Sequence, residues 1–248
     1  MHVEFLHHWS GHLGREMSLN RYGHAGLPIV VFASSGGSFS EYADFGMIEA
    51  CRESIEDGRV QFFTLTSIDK ESWLADWKPM HDRALAQEAY ERYVIDEAIP
   101  FIKHKTGWFD GMMVTGCSMG AYHAVNFFLQ HPDVFTKVIA LSGIYDARFF
   151  DHGNDYNGDV AVYRNSPADN IWNQNDAWFI DRYREADVII CTGRGAWEQD
   201  GLPSFYTLKQ AFEEKQLPAW FDEWGTDVAH DWIWWRKQMP YYLETLGL

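Results

Sequence analysis

Ser118 stands between two glycines in Gly116-Cys117-Ser118-Met119-Gly120, and the residues around that pentapeptide give it chemical meaning. An apolar run, Met112-Met113-Val114-Thr115, leads into it, and a helix-forming run from Ala121 to Leu129 leads out. A Gly-x-Ser-x-Gly sequence at a strand-to-helix turn strains the serine backbone and exposes its hydroxyl. Glycine on both sides suits a tight turn with a close helix crossing. A serine hydroxyl is a weak nucleophile alone. It needs a base to take its proton and a carboxylate to orient that base. The chemistry expected of such a set is attack on a carbonyl carbon with acyl transfer through Ser118.

When a serine occupies this kind of turn, the acid and then the histidine follow it along the chain. His152 falls in a polar, aromatic segment ahead of the strand that should deliver the acid. His230, in Asp227-Val228-Ala229-His230-Asp231-Trp232, falls after the last apolar strand and before the last helix, where the base is expected. The acid should follow the strand-like run 186–193, and the loop there offers Glu198 and Asp200. Asp227 would have to act from the histidine's own loop, against the expected chain order. It is read instead as pinning that loop through local bonds to backbone N–H groups. The oxyanion formed on attack needs two preorganised N–H donors. Met119 N–H, directly after the nucleophile, is one. The other is expected from the turn Ser35-Gly36-Gly37-Ser38, with Gly36 and Gly37 as candidates.

These residues must be positioned by a scaffold, and the pattern of apolar runs describes one. Residues 27–33 are a continuous apolar run of the kind buried on both faces of a sheet, and 60–65, 112–115, 138–143 and 186–193 read as further strands. Residues 220–224 add a short final strand, and residues 2–9 and 16–23 read as two strands joined by a turn. Helical patterns cover 43–56, 81–105, 203–216 and 231–247, with Pro100 expected to kink or interrupt the second. Alternating strands and helices imply an α/β architecture, a mainly parallel sheet with helices on both faces and an antiparallel N-terminal edge. Residues 145–185 are too long for a plain loop and read as a cap-like insertion within one domain spanning 1–248. Its aromatics, from Tyr145, Phe149 and Phe150 through Tyr156 and Tyr163 to Trp172, Trp178 and Phe179, are expected to roof a pocket for a small aromatic or short-chain acyl group.

Composition removes other classes. A formal net charge of -16 argues against nucleic acid and anionic membrane surfaces as partners. No run approaches a membrane span, and the N-terminal residues lack a basic and apolar leader, so a cytoplasmic location is expected. Cys51, Cys117 and Cys191 have neither disulfide nor zinc spacing and read as buried small hydrophobes. His7, His8 and His12 do not complete a metal ligand set. Gly193-Arg194-Gly195 is too short for a dinucleotide fingerprint. No cofactor and no metal are expected. The stripe Trp232, Trp234 and Trp235 is read as packing beneath the His230 loop. The oligomeric state is open, a homo-oligomer included.

With these residues in hand, the chain resembles the esterase family of α/β-hydrolases that includes esterase D (S-formylglutathione hydrolase), feruloyl and acetylxylan esterases, enterochelin esterases and mycolyltransferases. The resemblance runs over nearly the whole chain and rests on Pro28–Gly37, Gly116–Gly120, Leu141–Asp146, Asn165-Ser166-Pro167 and His230-Asp231-Trp232. It implies the α/β-hydrolase fold and serine carboxylic ester hydrolysis, with Ser118 as nucleophile and His230 as base. Relatives commonly show Gly-x-x-Asp after the penultimate strand. Gly195-Ala196-Trp197-Glu198 fills that place here, which favours Glu198 over Asp200. The early turn lacks the Gly-Leu-Thr-Cys of esterase D, so formylglutathione does not carry over as the substrate. The expected partner is a small-molecule ester. The alternatives are an acyltransferase using the same residues, or a hydrolase-fold binding protein with an idle site.

Overall fold

The computed structural model describes residues 1–151 and 158–248. Apolar runs without alternation become strands covered on both faces. β3 (Leu27–Phe32), β4 (Val60–Leu65) and β5 (Met112–Cys117) are buried at every position, as parallel strands between two helical layers must be. β6 (Phe135–Leu141) and β7 (Asp187–Thr192) are buried over their later residues, and β8 (Trp220–Glu223) forms a half-exposed edge. β1 (Val3–Ser10) and β2 (Arg15–Tyr22) pair antiparallel, with Leu6 opposite Leu19. All eight share one sheet in the order β1-β2-β4-β3-β5-β6-β7-β8. β3 to β8 are mutually parallel, and β2 joins β4 antiparallel.

The helices in chain order are α1 (Glu41–Asp44), α2 (Met47–Ala50), α3 (Arg52–Glu56), α4 (Met80–Tyr93), α5 (Ile99–Thr106), α6 (Met119–Gln130), α7 (Val160–Arg164), α8 (Pro167–Asn173), α9 (Ala177–Glu185), α10 (Leu202–Glu214) and α11 (Trp232–Thr245). The period of two along each strand sorts them between faces. Ile29, Val31 and Met113 meet Ile48, Ile55 and Met239 of α2, α3 and α11 on one side. Val30, Phe32 and Val114 meet Tyr90, Ile102, Phe127 and Leu208 of α4, α5, α6 and α10 on the other. Among the described residues, no helix is long and apolar enough to cross a membrane.

Three segments differ from a plain reading of periodicity. Residues 43–56 form not one helix but the short helices α1 to α3, with the chain turning at Gly46, whose φ is 76°. The pattern over 81–105 divides into α4, a wide π turn at Val94–Ala98, and α5. Pro100 lies in the first turn of α5, where its missing N–H does least harm. Residues 145–185 contain a 3₁₀ turn at Ala147–Asp151 and then α7 to α9. α8 packs against α10 and α6, and Ile171 and Tyr183 enter the main core beside Phe128. Burial of those apolar faces extends the helical layer. His152 and Tyr156 lie outside the described residues.

Candidate active site

β5 carries Ser118 to the carboxyl edge of the sheet, between β3 and β6. At φ 56° and ψ -121°, Ser118 holds a left-handed conformation rare for a side-chain-bearing residue, of a kind that costs about 1–3 kcal/mol. Its N–H donates to Leu141 O at 2.9 Å, and α6 starts at the next residue. A Cβ on Gly116 would lie 2.2 Å from the Gly120 carbonyl carbon, and one on Gly120 would lie 2.3 Å from Phe32 O. Gly120→Ala is therefore expected to push α6 off β3 and lower stability by about 1–3 kcal/mol, the usual cost of overpacking. The midpoint of denaturant unfolding would register it. Cys117, the neighbour of Ser118, is fully buried, and burial pushes its thiol well above the ordinary range, so it offers no competing nucleophile.

His230 Nε2 lies 2.8 Å from Ser118 Oγ, and His230 Nδ1 lies 3.3 Å from Glu198 Oε2. The tautomer that satisfies both contacts has Nδ1–H donating to the carboxylate and Nε2 accepting from the serine hydroxyl. Glu198 is 1% exposed and Ser118 is half-buried, so the line runs from the interior to a reachable hydroxyl. Ser142 Oγ donates to Glu198 Oε1 at 2.6 Å, Thr192 Oγ1 reaches Oε2 at 3.4 Å, and Trp235 Nε1 donates to Ser142 Oγ at 3.0 Å. Trp235 also meets the His230 ring edge-to-face at 4.9 Å. Of the tryptophan stripe, Trp235 is the one beneath the histidine, while Trp232 stacks on Phe45.

The two carboxylates of the acid loop separate sharply. Trp197 adopts φ 68° and is 82% exposed. The chain turns there, so that Glu198 enters the interior while Asp200 stays exposed ahead of α10. Asp227 is also exposed. The loops that carry His230 and Glu198 are joined by Gly195 N–H to Val228 O at 2.8 Å and His230 N–H to Ala196 O at 2.9 Å. A Cβ on Gly193 would lie 2.2 Å from Val228 O, which accounts for the glycine-rich sequence without any nucleotide. His8, meanwhile, stacks on Phe101 and Tyr93, and His12 pairs with Asp96.

The two glycines of the early turn have partners for their N–H groups within the protein. Met119 N–H belongs to the first turn of α6 and has no intrahelical acceptor. Gly36 N–H, however, donates to Asp69 Oδ2 at 3.1 Å, and Gly37 N–H donates to Ser34 O at 2.8 Å. One donor thus closes the turn and the other ties it to the loop after β4. Ser35, one residue earlier, lines a cavity together with Ser118 and Met119. Asp69 also bonds His123 Nε2 at 2.8 Å, and both side chains are buried. His123 lies on α6, so this pair ties the helix after Ser118 to the early turn. Asp69 and His123 are far apart in sequence; the one available signal was a histidine in a helix with few polar residues.

The cavity is about 310 Å³ and mostly apolar. Phe149 and Phe150 contribute to it, but the other aromatics expected as its roof do not line it among the described residues. Tyr145 is wholly in the core, Tyr163 and Phe179 line a separate groove, Trp172 borders another, and Trp178 is exposed. The missing wall comes from the loop after β4, through Trp73, Leu74 and Asp76, with Arg83 of α4 beside it.

Residues 10–246 match the family model described as "Putative esterase". The chain belongs to this esterase family. No curated protein sequence matches it. Among solved structures, the esterase is similar to a ferulic acid esterase at 16% identity and TM-score 0.76, with 99% of this chain and 96% of that one covered. An S-formylglutathione hydrolase from Agrobacterium tumefaciens matches at 16% identity and TM-score 0.75, covering 98% and 93%. MPT51 of Mycobacterium tuberculosis matches at 13% identity and TM-score 0.76, covering 99% and 98%. These likenesses bear on the fold, which is that of the α/β-hydrolases. Family membership supports carboxylic ester hydrolysis as the activity of this esterase.

Proposed function

We propose that the protein is a serine carboxylic ester hydrolase working through an acyl-enzyme on Ser118. The observation that carries this reading is the hydrogen-bonded line Ser118–His230–Glu198 beside an apolar cavity. Ser118 Oγ attacks the ester carbonyl while His230 Nε2 takes its proton. Met119 N–H and Ser35 N–H hold the oxyanion, the latter because Gly36 N–H is bonded to Asp69 and Gly37 N–H to Ser34. His230 then returns the proton to the departing alkoxide and takes another from water, which releases the acid. Glu198 keeps Nδ1 protonated and stabilises the charged ring. One sheet running through all eight strands supports treating the chain as a single domain.

A cavity of about 310 Å³ with mostly apolar walls supports a small aromatic or short-chain acyl group. Apolar pockets discriminate by about 1–3 kcal/mol per methylene, so the preference is expected to be graded. In a 4-nitrophenyl series from acetate to decanoate, kcat/KM should be higher for the short esters than for decanoate. Fastest turnover of decanoate would refute the size assignment. Absence of hydrolysis across that series and across aryl and sugar esters would refute the esterase reading itself.

A further inference from the structure

Arg83 borders the Ser118 cavity and is only 6% exposed. Its Nε donates to Lys78 O at 2.8 Å, and its Nη1 donates to Phe150 O at 3.0 Å and, less closely, to Trp73 O at 3.4 Å. All three acceptors are neutral carbonyls. Among the described residues, Nη2 has no acceptor and no carboxylate lies within 4 Å of the guanidinium. A guanidinium is always charged, and buried charges are ordinarily paired. Acids are not scarce in this chain, with 36 Asp and Glu against 20 Lys and Arg. Even Arg164 of α7, which is exposed to solvent, is paired, with Glu91 at 2.6 Å and Glu88 at 3.6 Å. In the described cavity wall the carboxylate is Asp76, which is exposed to solvent and forms no ion pair with Arg83.

The placement also indicates which half of an ester Arg83 meets. The departing alcohol must lie against His230, which returns its proton. The described cavity walls include Ser35, Ser118 and Met119 but not His230, so the cavity receives the acyl half. Nη2, which has no acceptor among the described residues, can donate to a carboxylate, and the mostly apolar walls suit one single charge better than a dianion. We propose that the acyl group of the substrate ends in a carboxylate bound by Arg83, so that the enzyme cleaves mono-esters of a dicarboxylic acid. This rests on the esterase reading of the Ser118 site.

Two measurements keep the inference and that reading apart. The Ser118→Ala protein is titrated calorimetrically with the monomethyl and dimethyl esters of adipic, pimelic and suberic acids. The mono-ester of at least one chain length should bind roughly ten- to a hundredfold tighter than its dimethyl ester, the range of a hydrogen bond to a charged group. Adding Arg83→Met should reduce that ratio to below about threefold, and Arg83→Lys should keep part of it. Equal binding of mono- and diester with Arg83 intact overturns the proposal, whether or not the Arg83 variants fold. An unchanged ratio in folded Arg83→Met also overturns it. In parallel, the wild-type protein is assayed on the 4-nitrophenyl mono-esters and their methyl-capped counterparts, where the same preference in kcat/KM supports the proposal. Preferential mono-ester binding without hydrolysis of either series upholds the anion site and overturns the esterase reading.

Discussion

Ser118→Ala is expected to lower kcat on any ester substrate by about 10⁴- to 10⁶-fold, and His230→Ala by a similar factor. The double variant should be scarcely slower than either single one, because groups that act as a unit fail together. The geometry behind this is the 2.8 Å contact between Ser118 Oγ and His230 Nε2 at the end of β5. Either change removes the means of making an alkoxide-like nucleophile, while the apolar cavity still binds substrate. KM should therefore move far less than kcat. Folding should survive, since Ser118 is held by its backbone bond to Leu141 O. Steady-state rates on purified protein, with circular dichroism to verify the fold, check this. Near-wild-type turnover in Ser118→Ala would remove the serine from the mechanism.

Glu198→Gln should be almost as damaging, with kcat falling by about 10⁴, the factor seen when the acid of a serine protease triad becomes its amide. The amide keeps the shape but favours the wrong imidazole tautomer, leaving Nε2 protonated toward Ser118. Asp200→Asn should remain within about tenfold of wild type, or 1.36 kcal/mol, because Asp200 is exposed while Glu198 is buried against Ser142, Thr192 and His230. The opposite pattern would transfer the role to Asp200. Loss of activity in Asp227→Asn alone would place the acid on the histidine's own loop.

Much of the scaffold was legible because its strands must be apolar on both faces. Residues 27–32 declare β3 by composition alone, and its parallel neighbours follow the same rule with few polar interruptions. The meeting of Ser118 and His230 was legible through chain order, which reflects how the carboxyl edge of a parallel sheet is assembled. Glu198 and Asp200 were not separable by residue type or by position in the loop. What separates them is the left-handed turn at Trp197, a conformation that its sequence does not advertise. The early turn shows a similar limit. Two glycines mark it as a turn, but only coordinates reveal that their N–H groups go to Asp69 and Ser34. The insertion misled because aromatic residues are equally suited to a pocket wall and to a core. Tyr145 went to the core, and the cavity drew instead on Trp73 and Leu74 from a loop with no periodicity.

Among the described residues, four non-glycine positions have a positive φ: Ser118, Ser142, Trp197 and Gln216. The first three surround one line of hydrogen bonds, while Gln216 lies just past the end of α10. Each such conformation is paid for by the rest of the fold. On the mechanism proposed for Ser118, selection for heat resistance would thus find ready gains at the same corners that activity forbids it to relax. The thermal ceiling of this molecule is therefore tied to its chemistry as well as to the packing of its core, and proteins evolving from it toward hotter conditions would have to gain their stability elsewhere.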